Sequence, residues 1–396
     1  MTRVLQISNY YYPNIGGIEQ VARDIAGALA QDDRYEQKVI CFNETASDKD
    51  AVCRRDETVH DTVDGVEIIR CGCFTKKASQ SLSLSFGKEL KTVMESFQPE
   101  IVIFHYPNPF EAAFLMKYLK RDFRFVLYWH LDIVKQKLLR RLFDPQTEQL
   151  LKRADRIVAT SPLYIDGSPW LSRYRDKCTV IPNCISETRM TVTPEIMTRA
   201  EEIRKENEGK LICFGVGRHI PYKGFTYLVQ ASRELDERFR IFIGGKGDLT
   251  ESLKKEAEGD AKVTFLGRVS DTDLIAYYLA MDLFCFPSIT KNEAFGIALA
   301  EGMYFGKPAI TFHIPGSGVN YVNIRDVTGL EAENRDSHAY ALAMKRLADD
   351  PQLARQLGGA AAARVRELFL TEQFVNNILA LLEDLRSAAV KRRDEK

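Results

Sequence analysis

Two carboxylates eight residues apart, Glu293 and Glu301, stand in the run Glu293-Ala-Phe-Gly-Ile-Ala-Leu-Ala-Glu301. An apolar stretch ending in Pro287-Ser288 precedes them, and the helix formers from Phe295 to Tyr304 run into a Gly306-Lys307-Pro308 stop. Glu293 is therefore expected in the loop at a strand's carboxyl end, and Glu301 about two turns into the helix that follows. On a helix, eight residues at about 100° each return to nearly the same azimuth, about 12 Å further along the axis. That is the reach from a hexose to the ribose of a nucleotide lying across the helix start. The free N–H groups near Phe295, Gly296 and Ile297 would face the diphosphate between them, where the helix dipole favours negative charge. The same spacing also fits an ordinary amphipathic helix with one acidic residue at its N-cap and another exposed.

Other residue types point the same way. Arg218 ends an apolar run and Lys223 follows five residues later, just before a helix. A guanidinium and an ammonium at a strand's carboxyl end suit a pyrophosphate, the first by bidentate hydrogen bonding and the second as a point charge. Gly16-Gly17 follows the first apolar run and opens a helix, so the backbone there can approach a ligand closely. It is not the G-x-G-x-x-G of dinucleotide sites. His130 follows another strand, where an imidazole can hydrogen-bond a sugar hydroxyl. His60, His105 and His338 have no such context. Asp271-Thr272-Asp273 matches a pattern that can hold a divalent metal on a diphosphate. Following Ser270, however, it reads as a helix start, where acidic residues cap free N–H groups. No metal site is expected.

The elements that must position these groups alternate. Strands are predicted at residues 3–9, 37–42, 66–70, 100–105, 123–129, 156–160 and 178–182, with helices at 18–30, 87–97, 110–120 and 135–153. After a polar stretch at residues 186–209 the alternation starts again. Strands are expected at 210–217, 239–244, 262–266, 283–287 and 308–312, and helices at 223–235, 248–257, 272–280 and 295–304. This β–α grammar is that of parallel sheets covered on both faces. The expected fold class is α/β with two Rossmann-like, doubly wound domains. Residues 1–185 form the first and 186–370 the second, with the linker near residues 183–200. A C-terminal helix and charged tail occupy 371–396, with Lys391–Lys396 expected to fray.

The chain has 396 residues, enough for two such domains, and 45% of them are hydrophobic. Lys plus Arg and Asp plus Glu both number 55, so no charge excess points to nucleic acid. No run has the length of a membrane span, and the start Met-Thr-Arg-Val-Leu-Gln-Ile has no secretory apolar region. The eight cysteines lack zinc spacing and read as reduced thiols of a cytoplasmic protein. Lys117, Lys120, Arg121, Arg124, Lys135, Lys137, Arg140 and Arg141 interleave with Phe114, Leu115, Leu138, Leu139 and Phe143. That region reads either as a surface resting on anionic lipid or as a solvated helix face.

Pro287-Ser288, Glu293-Ala-Phe-Gly296, Glu301-Gly-Met303 and Gly306-Lys-Pro-Ala-Ile310 together resemble the signature of retaining glycosyltransferases of family 4, which have the GT-B fold of two Rossmann-like domains facing a cleft. The resemblance covers nearly the whole chain. It implies a metal-independent hexosyltransferase with no cofactor beyond its nucleotide-sugar donor, a GDP- or UDP-hexose. The donor would lie mostly on the second domain and a glycan or lipid-linked acceptor on the first. It further implies that Arg218 and Lys223 neutralise the diphosphate, Glu293 binds or polarises the hexose, and Glu301 binds the ribose hydroxyls. Gly16 and Gly17 would face the sugar diphosphate, and the turns at Gly244 and Gly267 would border the donor and its base. The segment His130-Leu-Asp132-Ile-Val-Lys135-Gln-Lys137 is most similar to bacterial mannosyltransferases of surface-polysaccharide assembly. That makes GDP-mannose the leading donor, His130 a neighbour of the hexose and Asp132 an acceptor-side or loop-ordering residue. The family's Gly-Gly-x-x-Glu is replaced by Pro315-Gly316-Ser317-Gly318-Val319-Asn320, to which no contact is assigned. A sugar-nucleotide epimerase of the same fold and a non-catalytic nucleotide-sugar-binding protein are the competing readings.

Overall fold

A computed structural model describes the chain except residues 15, 45–54, 78–79, 134–136 and 395–396; the side chains of residues 77, 80, 137–142 and 388–394 are also not described. Two compact units emerge. The first holds Met1–Thr160, Ser168–Ile181 and the chain from Phe374 onward; the second holds Ser161–Gly167 and Pro182–Gln373.

In the first unit the strands are β1 (Thr2–Ile7), β2 (Tyr35–Asn43), β3 (Val59–Val63), β4 (Val66–Gly72), β5 (Thr75–Lys77), β6 (Gln80–Leu82), β7 (Ile101–Tyr106), β8 (Arg124–Trp129), β9 (Arg156–Ala159) and β10 (Cys178–Val180). Eight of them form a sheet in the order β10-β9-β8-β7-β1-β2-β4-β3, while β5 and β6 make a separate hairpin. Pairing in the sheet is parallel except at the β3–β4 edge. Strand β7 is buried along its whole length, as a strand covered on both faces must be. The order reverses between β1 and β7, the switch point where such a sheet opens a crevice beyond its strand ends. The C-terminal helix Thr371–Asp394 buries Phe374, Ile378, Leu381, Leu382 and Leu385, one face at helical spacing. Its Asp384 and Glu383 pair with Arg156 and Arg34 of the first unit at 2.7 and 3.2 Å.

In the second unit β11 (Leu211–Val216), β12 (Phe239–Gly244), β13 (Val263–Gly267), β14 (Leu283–Phe286), β15 (Ala309–Phe312) and β16 (Gly329–Ala332) are all parallel, in the order β13-β12-β11-β14-β15-β16. The switch point here falls between β11 and β14. The two loops singled out for Arg218–Lys223 and Glu293 leave these two neighbouring strands.

Three local expectations need correction. The linker expected near residues 183–200 is not linker throughout: the helix Pro194–Glu206 begins within it, with Thr193 as N-cap, and buries Ile196, Ala200 and Ile203. Its apolar positions are sparse among charges, which masked the period. The antiparallel edge strand β3 and the β5–β6 hairpin were missed because most of their residues are polar, so no apolar run marks them. The helix after β14 begins at Ile297 rather than Phe295, because its N-cap Gly296 has φ 94°.

Candidate functional site

The second unit assembles its candidate residues at the β11/β14 switch point. Lys223 Nζ donates to Glu293 Oε2, and both side chains are nearly buried. Ser288 Oγ donates to the same carboxylate oxygen at 3.1 Å. The loops that carry them are tied together by the backbone, with Ile289 N–H donating to Tyr222 O at 2.9 Å. Gly224 makes the approach possible: it has φ 68°, and a Cβ there would lie 2.0 Å from Pro287 O. Any side chain would push the two loops apart.

Behind Glu293 stands the turn to which no contact had been assigned. Ser317 Oγ donates to Glu293 O at 2.6 Å, and a Cβ on Gly318 would meet Ala294 O at 1.9 Å. The Gly-rich turn thus buttresses the Glu293 loop. Ser288 and Ser317 escaped the sequence reading because a serine in a loop carries no signal of its partner. Arg218 is exposed, with Nη2 3.5 Å from Tyr222 Oη and no carboxylate partner among the described residues. Among the described residues Lys223 is thus tethered to a carboxylate and Arg218 is not.

Glu301 is the fifth residue of helix Ile297–Tyr304, little more than one turn in, and not two. The positive φ at Gly296 turns Glu293 off the helix, so the straight-helix spacing of the two carboxylates does not apply. Leu299 and Ala300 N–H groups return to Gly296 O, while those of Gly296 and Ile297 find no backbone acceptor among the described residues. Phe295 is buried, packing edge-on to Phe369 at 5.2 Å, so its side chain is structural. Glu301 is 7% exposed and accepts from Tyr278 Oη at 3.1 Å, with Arg189 at 4.0 Å. Burial raises its pKa, and Arg189 and Tyr278 oppose that shift.

The remaining turns of this sheet edge are laced together. Gly217 N–H donates to Gly244 O, His219 N–H to Lys246 O, and Gly245 N–H to Gly267 O. Gly244 and Gly267 end β12 and β13 beside the Arg218 loop. His219 is fully buried, its Nδ1 3.0 Å from Thr250 Oγ1, and it holds these turns together. Ser270 caps its helix by accepting from Asp273 N–H, and its Oγ donates to Asp273 Oδ2 at 2.8 Å. Asp273 also lies 3.3 Å from Arg199.

In the first unit, Gly16 is the extended N-cap of helix Gly17–Ala30, and a Cβ on Gly17 would meet nothing within 4 Å. Both follow β1 at the switch point. His130 follows β8 and is 6% exposed. Its Nε2 lies 2.8 Å from Nδ1 of His105, the residue left without context by the sequence. His105 sits near the carboxyl end of β7, and only strand adjacency reveals that it meets His130. Asp132 is buried and orders its loop, accepting from Trp129 Nε1 at 3.1 Å and Ser168 Oγ at 2.7 Å.

The proposed basic surface is smaller than its sequence implied. Arg124 pairs with Asp155 at 3.2 Å, and Leu115 is buried. Lys117 and Lys120 remain exposed. Lys135 lies outside the described residues, as do the side chains of Lys137, Leu138, Leu139, Arg140 and Arg141. Among the described residues no helix is long and apolar enough to cross a membrane.

Comparison with known proteins places this geometry. Residues 15–189 match the family model described as Glycosyltransferase Family 4, and residues 197–364 the model described as Glycosyl transferases group 1. The O-antigen chain mannosyltransferase C of Escherichia coli is 30% identical over 390 residues, 96% of this chain and 99% of that protein. The chain belongs to glycosyltransferase family 4. Another member of similar sequence, the D-rhamnosyltransferase WbpZ of Pseudomonas aeruginosa, is 36% identical over 74% of this chain and 75% of its own. The GT-B fold follows from solved structures. Sucrose-phosphate synthase from Thermosynechococcus elongatus superposes with a TM-score of 0.77 at 20% identity, over 98% of this chain and 100% of that one. HepE from Anabaena, in complex with UDP and glucose, gives 0.73 at 16% identity over 97% and 100%.

Proposed function

We propose that this glycosyltransferase moves a hexose of manno configuration from a GDP-sugar, GDP-mannose first, to a glycan or lipid-linked acceptor, with retention at the anomeric carbon, in bacterial surface-polysaccharide assembly. The observation that carries the reading is the cluster at the β11/β14 switch point, where Lys223, held by Glu293, and the open Arg218 flank a helix start with unassigned N–H groups. An incoming diphosphate is a stronger partner for Lys223 than a carboxylate that is also held by Ser288. In this scheme Lys223 passes from Glu293 to the phosphates, and Glu293 is released toward the hexose hydroxyls. Arg218 completes the charge clamp without a metal. Glu301 accepts from the ribose hydroxyls, and the Gly244 and Gly267 turns border the nucleoside. Gly16-Gly17 and His130 line the corresponding edge of the first unit's sheet, where His130 meets a sugar hydroxyl.

Two relatives bear on the sugar: one is named a mannosyltransferase and the other a D-rhamnosyltransferase. D-rhamnose is 6-deoxymannose, so both names describe a sugar with an axial 2-hydroxyl. A site that hydrogen-bonds this hydroxyl discriminates strongly, because a misplaced hydroxyl leaves buried groups unpaired. A resting place on anionic lipid has less support, since Arg124 is already paired and Leu115 is buried.

The test is transfer from GDP-mannose, GDP-6-deoxymannose, GDP-glucose, UDP-glucose and UDP-N-acetylglucosamine to lipid-linked oligosaccharide, with the product's anomeric configuration read by NMR. Mannose or its 6-deoxy form should be transferred more than tenfold faster than glucose from the same nucleotide. Faster transfer from either UDP donor would overturn the choice of sugar. An inverted product would overturn retention.

A further inference from the structure

The mechanism above leaves a buried chain of side chains unexplained. Gln6 on β1, His105 on β7 and His130 after β8 come from three strands that are neighbours in the sheet, beside its switch point. Gln6 and His105 are fully buried and His130 nearly so. His105 Nε2 lies 3.1 Å from Gln6 Oε1, and His105 Nδ1 lies 2.8 Å from His130 Nε2. The two imidazoles are nearly coplanar, with 11° between their planes.

Burial holds both rings neutral, His105 pushed down to about 3 and His130 also well below its ordinary value, further depressed by His105. Two neutral imidazoles joined by one hydrogen bond share a single proton. The group at the inner end of the chain therefore decides which nitrogen of the outer ring keeps a lone pair. Gln6 Oε1 faces His105 Nε2, and Gln6 Nε2 is buried without a partner among the described residues; with Oε1 in that place His105 Nε2–H donates to it and His105 Nδ1 accepts. His130 Nε2–H then donates inward, and its Nδ1 is left as an acceptor. That atom takes no hydrogen bond among the described residues, and His130 keeps 6% of its surface exposed.

We propose that Gln6 and His105 are positioning residues that fix the tautomer of His130, so that its Nδ1 accepts a hydrogen bond from a sugar hydroxyl at the carboxyl edge of the first unit's sheet. The proposal rests on the reading that His130 meets substrate, and it adds what the ring must do there. An imidazole in the other tautomer would present an N–H and would have to donate instead. The preference for an acceptor thus comes from a glutamine two residues removed along the chain of hydrogen bonds.

The experiment combines a direct view of the tautomer with kinetics on the full chain. Nitrogen-15 NMR of histidine-labelled protein should show His130 protonated at Nε2 and bare at Nδ1. Gln6→Leu and His105→Leu should lose that fixed pattern and lower kcat about tenfold, a small part of what a positioned acid–base group contributes. Nucleoside diphosphate affinity should stay unchanged. His105→Asn, whose amide oxygen can accept from His130 Nε2–H, should recover most of the rate, which a purely structural role would not require. A proton on Nδ1 of wild-type His130 would overturn the proposal. So would wild-type kcat in folded Gln6→Leu and His105→Leu beside a slow His130→Ala, which leaves the reading of the site intact. Full activity in His130→Ala would remove that reading and the proposal with it.

Discussion

At the scale of single residues, the two glutamates are not equivalent. Glu293 is held by Lys223 and Ser288 in a loop, whereas Glu301 is buried on a helix against Tyr278 and Arg189. Their roles should separate in binding. Glu301→Gln should weaken the free nucleoside diphosphate, since its proposed partners are the ribose hydroxyls. Glu293→Gln should bind that ligand nearly as wild type while transfer falls sharply, and titration with nucleoside diphosphate and with intact donor checks both. Arg218→Ala and Lys223→Ala should each lower kcat/KM about 10²-fold, the scale of one lost electrostatic contact in a desolvated site. Wild-type kinetics in both would place the diphosphate elsewhere. Glu111 offers a different test. It is fully buried, neither carboxyl oxygen has a partner among the described residues, and burial raises its pKa well above the ordinary carboxylate range. Between the unfolded and folded pKa values the native state binds more protons than the unfolded one. Glu111 therefore lowers stability as pH rises from about 4.3 upward. Glu111→Met should raise Tm at pH 7 and flatten that dependence; an unchanged melting profile across pH 5–8 would show that the carboxyl has found a partner.

At the scale of elements, the site depends on loops that touch through backbone. The Arg218–Lys223 loop reaches the Glu293 loop because Gly224 lies under Pro287 O, and the Ser317-Gly318 turn supports Glu293 from behind. Gly224→Ala combines a positive φ with a near-contact to a carbonyl, so donor binding should weaken by at least tenfold while the sheet still folds, the strain being of the order of 1–3 kcal/mol. Donor titration and a thermal melt distinguish the two effects. The helix Asp271–Ala280 provides the contrast. Ser270→Ala should remove a cap worth about 0.5–2 kcal/mol and leave transfer rates unchanged, because Asp273 serves this helix start and stays paired with Arg199. A collapse of transfer that manganese restores would turn the segment back into a metal site.

At the scale of the whole molecule, the GT-B fold supplies two sheets, one parallel throughout and one parallel but for its β3–β4 edge, each with a switch point whose crevice gathers loops from distant parts of the chain. Because the proposed nucleotide contacts, Gly16 and Gly17 apart, lie in the second unit, GDP should stabilise that unit against unfolding by about 2.7 kcal/mol at 100 times its Kd. Hydrogen exchange should locate the protection on residues 217–224, 244–247 and 293–301. Protection confined to the first unit would reverse the assignment of the two substrates.

Much of this was legible along the chain. Apolar runs bounded by glycines and polar turns mark most of the buried strands, since a strand covered on both faces must be apolar throughout. Arg218, Lys223 and Glu293 were legible for a similar reason: each stands where a strand ends, and that position is written locally. The helix start at Gly296 was misplaced by two residues, because a positive φ is a property of the packed turn rather than of the letters around it. What the sequence could not express is lateral pairing. Lys223 meets Glu293 across 70 residues, Gln6 meets His105 across 99, and Ser317 supports Glu293 from 24 residues downstream. Strand order decides these encounters, and strand order is set by how the layers pack together rather than by the period of any one element. The residue types and their local settings came from the sequence alone, while the choice of partner for each was made by the tertiary structure.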